Sequence, residues 1–334
     1  MRDRFAASWA AVAKRFAGSS EVAGFDVLNE PENSKPAGEL NTTYNEFLAQ
    51  VVFAIRPAQV DAPFGQLIFI EPALPAGDLS RGLVIPDPKS VDLDTTNIVA
   101  SVHNYSESIE NGFTIESLNE AVDGLTAGLG VPNWGGEYGF WDTSETTLVK
   151  ARRYAADEDR LAWGGAWWQW RQSCGDPHSL EWVGGTVVSP PGVQTHLNLM
   201  ECPANLDLGP NDAFLDILGR GYPRATPGRI TKLRSDPDTG NMALTAAAPE
   251  LGGELIVWTP TSDDAAHPVT VRNLADVVET EVPGGRLITA TVASAGDYQL
   301  WVGPVDDQTP RRVARDEPSQ PVAAAAPLRP AFTG

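Results

Sequence analysis

The stretch Gly24-Phe25-Asp26-Val27-Leu28-Asn29-Glu30-Pro31 decides how this chain is read. An apolar run ends abruptly in Asn29-Glu30-Pro31, where proline stops a central strand and leaves an acid at its mouth. A second stretch has the same design: Val131-Pro132-Asn133-Trp134-Gly135-Gly136-Glu137-Tyr138-Gly139-Phe140 closes a short strand on a glutamate set between glycines and aromatics. Each strand therefore delivers one carboxylate at its end.

Outward from these two stretches, strands are expected at 66–71, 97–105 and 164–170. Helical patterns lie between them at 43–58, 115–129 and 145–161. Residues 2–17 precede the first strand, with Phe5, Trp9, Val12, Ala13 and Phe16 at spacings of three and four and Gly18 as the stop. Strand and helix alternation of this kind predicts a parallel sheet. After Pro223 the texture changes to short period-two runs broken by Asp-Pro, Thr-Gly, Gly-Gly and Ala-Gly turns, which predicts a small antiparallel β-sandwich. The expected boundaries are 1–223 for the α/β part, 224–305 for the sandwich and 306–334 for a disordered tail rich in Pro and Ala.

Composition narrows the function classes. A net charge of −20 argues against nucleic acid and anionic membrane surfaces as partners. No apolar run reaches the 18 residues that stable membrane insertion needs. Residues 1–5 lack the apolar core of a signal peptide. Two cysteines, Cys174 and Cys202, are too few for a disulfide scaffold, have no metal-ligand spacing, and are expected to bridge if the protein is exported. Among four histidines there is no metal constellation, and neither a phosphate loop nor a Ser-His-Asp arrangement is present, so no metal and no cofactor are expected.

Asn29-Glu30-Pro31, with His103-Asn104-Tyr105, Gly136-Glu137-Tyr138-Gly139 and Trp167-Trp168-Gln169-Trp170 at barrel spacing, resembles the family 5 glycoside hydrolases. Among these it is similar to the endoglycoceramidase-like enzymes, over roughly residues 1–305. The resemblance implies a retaining glycosidase on a (β/α)8 barrel, with Glu30 as general acid/base and Glu137 as nucleophile. Such a reaction needs the two carboxyl groups about 5 to 5.5 Å apart, with Glu30 protonated and Glu137 ionised. It further implies that Asn29 bonds the sugar 2-hydroxyl. Tyr105 is expected to donate its hydroxyl to Glu137, with His103 on the same strand face. Trp168 and Trp170 fall on one side of their strand, where both are expected to bind substrate, and Trp167 on the other. Trp170 is expected to form the platform under the sugar and Trp167 to be core. Glu71, at the end of its own strand, is expected to form an ion pair or rim contact.

In the family the Asn-Glu-Pro strand is the fourth of eight. The expected fold is thus a partial (β/α)8 TIM barrel, strands four to eight, followed by a C-terminal antiparallel β-sandwich, in a chain truncated at its N-terminus. The open edges are expected to promote self-association and to leave at most a trace of activity. The full-length form is expected to be secreted. The expected substrate is a glycolipid cleaved between glycan and ceramide; a β-glucan or steryl glucoside is the alternative within the class, and a catalytically inactive carbohydrate-binding fragment is the alternative outside it.

Overall fold

The computed structural model describes residues 1–33, 37–62, 65–75, 86–108, 112–140, 144–168, 181–183, 186–188, 212–261, 267–304 and 311–312. The chain divides into two compact units, one spanning Met1–Glu137 and the other beginning at Tyr138.

The first unit contains α1 (Arg2–Phe16), β1 (Gly24–Asp26), β2 (Glu32–Asn33), α2 (Ala37–Ile55), β3 (Leu67–Ile70), β4 (Leu74–Pro75), β5 (Ile98–His103), α3 (Ile115–Leu129) and β6 (Asn133–Tyr138). The pairings β1 with β3, β3 with β5 and β5 with β6 are all parallel. Covered parallel strands lose their polar alternation. Accordingly Ile98, Val99, Ala100, Ser101 and Val102 of β5 are all buried, and only His103 at the strand's end is less so. Helix α1 seals one face, with Phe5 against Phe47 of α2 and Trp9 against Phe25. The indole N–H of Trp9 donates to Val27 O at 3.1 Å, so the aromatic brings its own hydrogen-bond partner into the core. Helix α3 runs from a capping box of Thr114 and Ser117 to Gly130, whose φ of 72° ends it.

The second unit contains α4 (Glu145–Leu161), β7 (Gly164–Trp167), β8 (Glu181–Val183), β9 (Thr186–Val188) and α5 (Asp212–Leu218). It continues with β10 (Tyr222–Ala225), β11 (Arg229–Ser235), β12 (Met242–Ala248), β13 (Glu254–Pro260), β14 (Val269–Arg272), β15 (Leu274–Val282), β16 (Gly285–Val292), β17 (Gly296–Val302) and β18 (Arg311–Arg312). Tyr138 O at the end of β6 accepts from Trp168 N at 2.9 Å, which sets β7 as the last strand of the order β1-β3-β5-β6-β7. Two antiparallel sheets, β10-β13-β16-β15 and β14-β17-β12-β11-β18, follow. Their shared core holds Met242, Leu244, Leu255, Val257, Ile288, Tyr298 and Leu300. The fold class is therefore a partial (β/α)8 barrel sheet followed by an antiparallel β-sandwich, as expected.

Three local readings are corrected. The first strand stops at Asp26, well short of Pro31, because the chain must turn to present Glu30, whose φ is 42°. Helix α2 begins at Ala37, ahead of the expected 43. Strand β15 had no recognised pattern: seven consecutive exposed residues and a bulge between Ala275 and Val278 erase the alternation that marks a strand. Cys174, Cys202, and the tail beyond Arg312 lie outside the described residues. Among the described residues no helix is long and apolar enough to cross a membrane.

Candidate active site

Three strand ends of the first unit converge on His103. Its Nδ1 lies 2.9 Å from Glu30 Oε1 and 3.5 Å from Glu137 Oε2, and its Nε2 lies 3.4 Å from Glu71 Oε1. Donor atoms of Glu30, His103 and Glu137 all fall within 4.8 Å of one another, so one oxygen of each catalytic candidate is that close to the other. The Tyr105 hydroxyl donates to Glu137 Oε2 at 2.9 Å. Glu30 N donates to Glu71 Oε2 at 2.5 Å.

Register places Glu137. Ala100, Ser101 and Val102 pair with Asn133, Trp134 and Gly135, but His103 pairs with Glu137, so Gly136 is an extra residue in β6. A bulge of this kind re-aims the following side chain. Only glycine fits there: a Cβ on residue 136 would run into Ser101 Oγ and come within 3.1 Å of the His103 ring. Asn104, next along, is structural. It is buried, donating to Ile115 O and Asn119 Oδ1 and accepting from Ser106 N.

The electrostatics follow from placing four carboxyl groups around one imidazole. Burial alone would lower the His103 pKa, but contacts to Glu30 and Glu71 and the charges of Glu71 and Glu137 outweigh it and raise it to about 10. Burial pushes the Glu137 carboxyl above its ordinary range. His103 and the Tyr105 hydrogen bond pull it down, while Glu30 and Glu71 add to the rise. The net direction is upward, against the ionised state a nucleophile uses. Asp26 keeps an open surface yet is hemmed in by protein. Lost hydration first and then the charge of Glu71 push it up to about 7, with Ser101 and His103 acting the other way.

The spacing of Glu30, His103 and Glu137 is also one that could hold a cation. The same carboxylates that raise the His103 pKa would also attract a cation, and binding one there would require the imidazole to give up its proton.

The model of the family described as cellulase (glycosyl hydrolase family 5) matches residues 1–173, just over half of the chain. The chain belongs to glycosyl hydrolase family 5. A solved endogalactoceramidase is 27% identical, with a TM-score of 0.70 over 90% of this chain and 62% of that one. Endo-glycoceramidase II from Rhodococcus sp., solved as its lactosyl-enzyme intermediate, is 20% identical, with a TM-score of 0.62 over 91% of this chain and 64% of that one. The chain thus spans less than two thirds of the length of these solved relatives. Comparison with the curated proteins gave no match.

In this family 5 chain the structure brings four of the expected site residues together: Glu30, His103, Tyr105 and Glu137. Asn29 is exposed beside Glu30 at the chain's turn. Trp168 is half-buried in the second unit, held through its backbone N–H by Tyr138 O. Trp170 lies outside the described residues. Trp167 packs among Tyr138, Phe140 and Phe214. Glu71, 2% exposed, makes the ion pair expected of it, its Oε1 lying 3.4 Å from His103 Nε2, and is buried instead of at the rim. Asp26, which went unrecognised, adds a further carboxyl. Glu71 carried a usable signal, because Ile70-Glu71-Pro72 repeats the apolar-acid-proline ending that singled out Glu30. Asp26 carried none, being one acid inside a three-residue strand.

Proposed function

We propose that the protein is a retaining β-glycosidase acting on glycolipids, cleaving the bond between the glycan and its lipid. The observation that carries the reading is the approach of a Glu30 oxygen to a Glu137 oxygen within 4.8 Å across the His103 imidazole. Retaining enzymes hold their carboxyl groups about 5 to 5.5 Å apart, while inverting enzymes leave about 6.5 to 9.5 Å for a water. In the first step Glu137 attacks the anomeric carbon as Glu30 protonates the departing oxygen. In the second, Glu30 takes a proton from water, and the hydroxide so formed releases the sugar from Glu137. Tyr105 holds the attacking carboxylate by its Oε2. The glycolipid preference is supported by the 27% identical endogalactoceramidase.

The test is turnover of three probes by the purified chain: a fluorescent glycosylated ceramide, a soluble β-glucan and an aryl β-glucoside. Proton NMR would read the first-formed anomer, and a 2-fluoro glycoside followed by mass spectrometry would find the labelled residue. The expected outcome is hydrolysis of the ceramide probe with retention and a covalent label on Glu137. Inversion would remove the two-step mechanism, preference for the glucan would remove the lipid substrate, and no turnover of any probe would leave a carbohydrate-binding fragment.

A further inference from the structure

Glu71 lies beneath the catalytic pair and touches both halves of it. One oxygen, Oε2, accepts the backbone N–H of Glu30 at 2.5 Å. The other, Oε1, is buried, makes no hydrogen bond among the described residues, and faces His103 Nε2 at 3.4 Å. The residue is 2% exposed, so no substrate reaches it. It is fixed from behind, since its own carbonyl accepts the buried Tyr44 hydroxyl at 3.1 Å.

The two contacts do different work. Glu30 sits at a φ of 42°, a left-handed conformation that residues other than glycine rarely adopt and that needs external support. A charge-assisted hydrogen bond from its N–H supplies that support at the residue that must aim the acid. On the other side, a carboxylate facing Nε2 holds the imidazole with Nδ1 turned toward Glu30 and Glu137. His103 then lies between two acids that would otherwise repel. A ring fixed on one nitrogen by a carboxylate and working through the other is a recurrent way to set an imidazole's protonation and aim.

We propose that Glu71 is the positioning residue of this active site: one carboxylate that fixes the Glu30 backbone and the His103 ring, and through them the acid/base and its spacing from Glu137. The inference rests on the glycosidase reading for its kinetic consequences but not for its structural ones. The groups that face His103 are Asp26, Glu30, Glu71 and Glu137, and Glu71 alone among them meets Nε2.

The test uses the whole chain with Glu71→Gln, which keeps the shape and an acceptor for Glu30 N but removes the charge, and Glu71→Ala, which removes both. Glu71→Gln is expected to lower kcat by about tenfold to a hundredfold with KM within about twofold. The alkaline limb of the pH profile should move down by one pH unit or more. Nitrogen-15 NMR of the imidazoles, with His103 assigned by its loss in His103→Gln, should show the His103 midpoint falling by a similar amount. Glu71→Ala should lower kcat further. Wild-type kcat and an unmoved His103 midpoint in Glu71→Gln would overturn the proposal. So would a loss of rate matched by loss of folded protein, with the pH profile unshifted. If the wild-type chain turns over no probe, the glycosidase reading fails by itself, and the His103 midpoint in Glu71→Gln still decides this one.

Discussion

Among the described residues two charge clusters stand out, one in each unit, and they are assembled by opposite rules. Around His103 stand Asp26, Glu30, Glu71 and Glu137, four acids to one base, with an oxygen of Glu71 that makes no hydrogen bond among the described residues. Around Arg220 stand Glu158 and Asp159, two acids to one base, and here, although Glu158 Oε1 also makes no hydrogen bond among the described residues, the cation binds both acids directly. The guanidinium donates to Glu158 Oε2 at 2.9 Å, to Asp159 Oδ1 at 3.1 Å and to Ala155 O at 3.1 Å, while the second Asp159 oxygen accepts Ser235 N at 2.7 Å. The second cluster ties helix α4 to strand β11 and is largely buried. A large surplus of one sign at strand ends, half-open to solvent, is what a reaction needs; acids clamped on a shared cation behind packing are what a scaffold needs. Burial alone does not distinguish them, and the arithmetic of partners does.

Substitutions should separate the two clusters cleanly. Glu137→Gln, with nearly the same shape, is expected to reduce turnover of the ceramide probe by roughly 10⁴-fold or more while leaving the thermal unfolding curve in place. Equal loss of rate and of folded protein would make Glu137 a scaffold residue. Arg220→Met is expected to do the reverse. It strands Glu158 and Asp159 without a cation, at a cost of about 3 to 5 kcal/mol, read in urea as a lower midpoint, with turnover per folded molecule unchanged.

Acidity should separate the clusters too, through opposite windows. Burial first, then the charges of Asp159 and Asp157, raise Glu158 to about 7 despite Arg220. An acid raised on folding binds its proton more tightly in the folded state. Its stabilising contribution is full below the ordinary value of about 4.5 and is lost as pH rises through about 7. For His103, a base raised to about 10, the contribution is full below about 6.5 and is lost between there and about 10. Hydrogen exchange followed against pH should show strand β11 loosening from pH 5 to 7 and strand β5 only above about 7. Glu158→Gln should flatten the first slope and leave the second. The smallest effect is reserved for an exposed pair. Arg152 meets Asp238 at 2.8 Å but both are open to solvent, so Arg152→Ala is expected to change the unfolding free energy by no more than about 1 kcal/mol.

What could be read beforehand follows the same physics. Helices 115–129 and 145–161 were legible to the residue because caps and periodicity coincide, with Thr114 and Gly130 bounding one and Ser144 starting the other. The sandwich strands that bury every second residue were legible, whereas β15, exposed and bulged, was not. Glu30, Tyr105 and Glu137 could be named because their motifs are contiguous in sequence. The role of Glu71 could not, since it depends on which strand lies beside β1, and the order β1-β3-β5 is a property of the assembled sheet. The left-handed turn at Glu30 was equally hidden, for a residue before proline is expected in the extended region at negative φ.

The bulge at Gly136 also bears on how this sequence can drift. Gly124 and Gly128 on α3 have open space where a side chain would begin, and alanine at either would raise helix propensity at no steric cost. At position 136 any side chain presses on Ser101 and the His103 ring, and losing the extra residue would slide Glu137 out of line with His103. Neutral substitutions are thus free to accumulate along one helix while a single atomless position in the neighbouring strand stays closed to all of them.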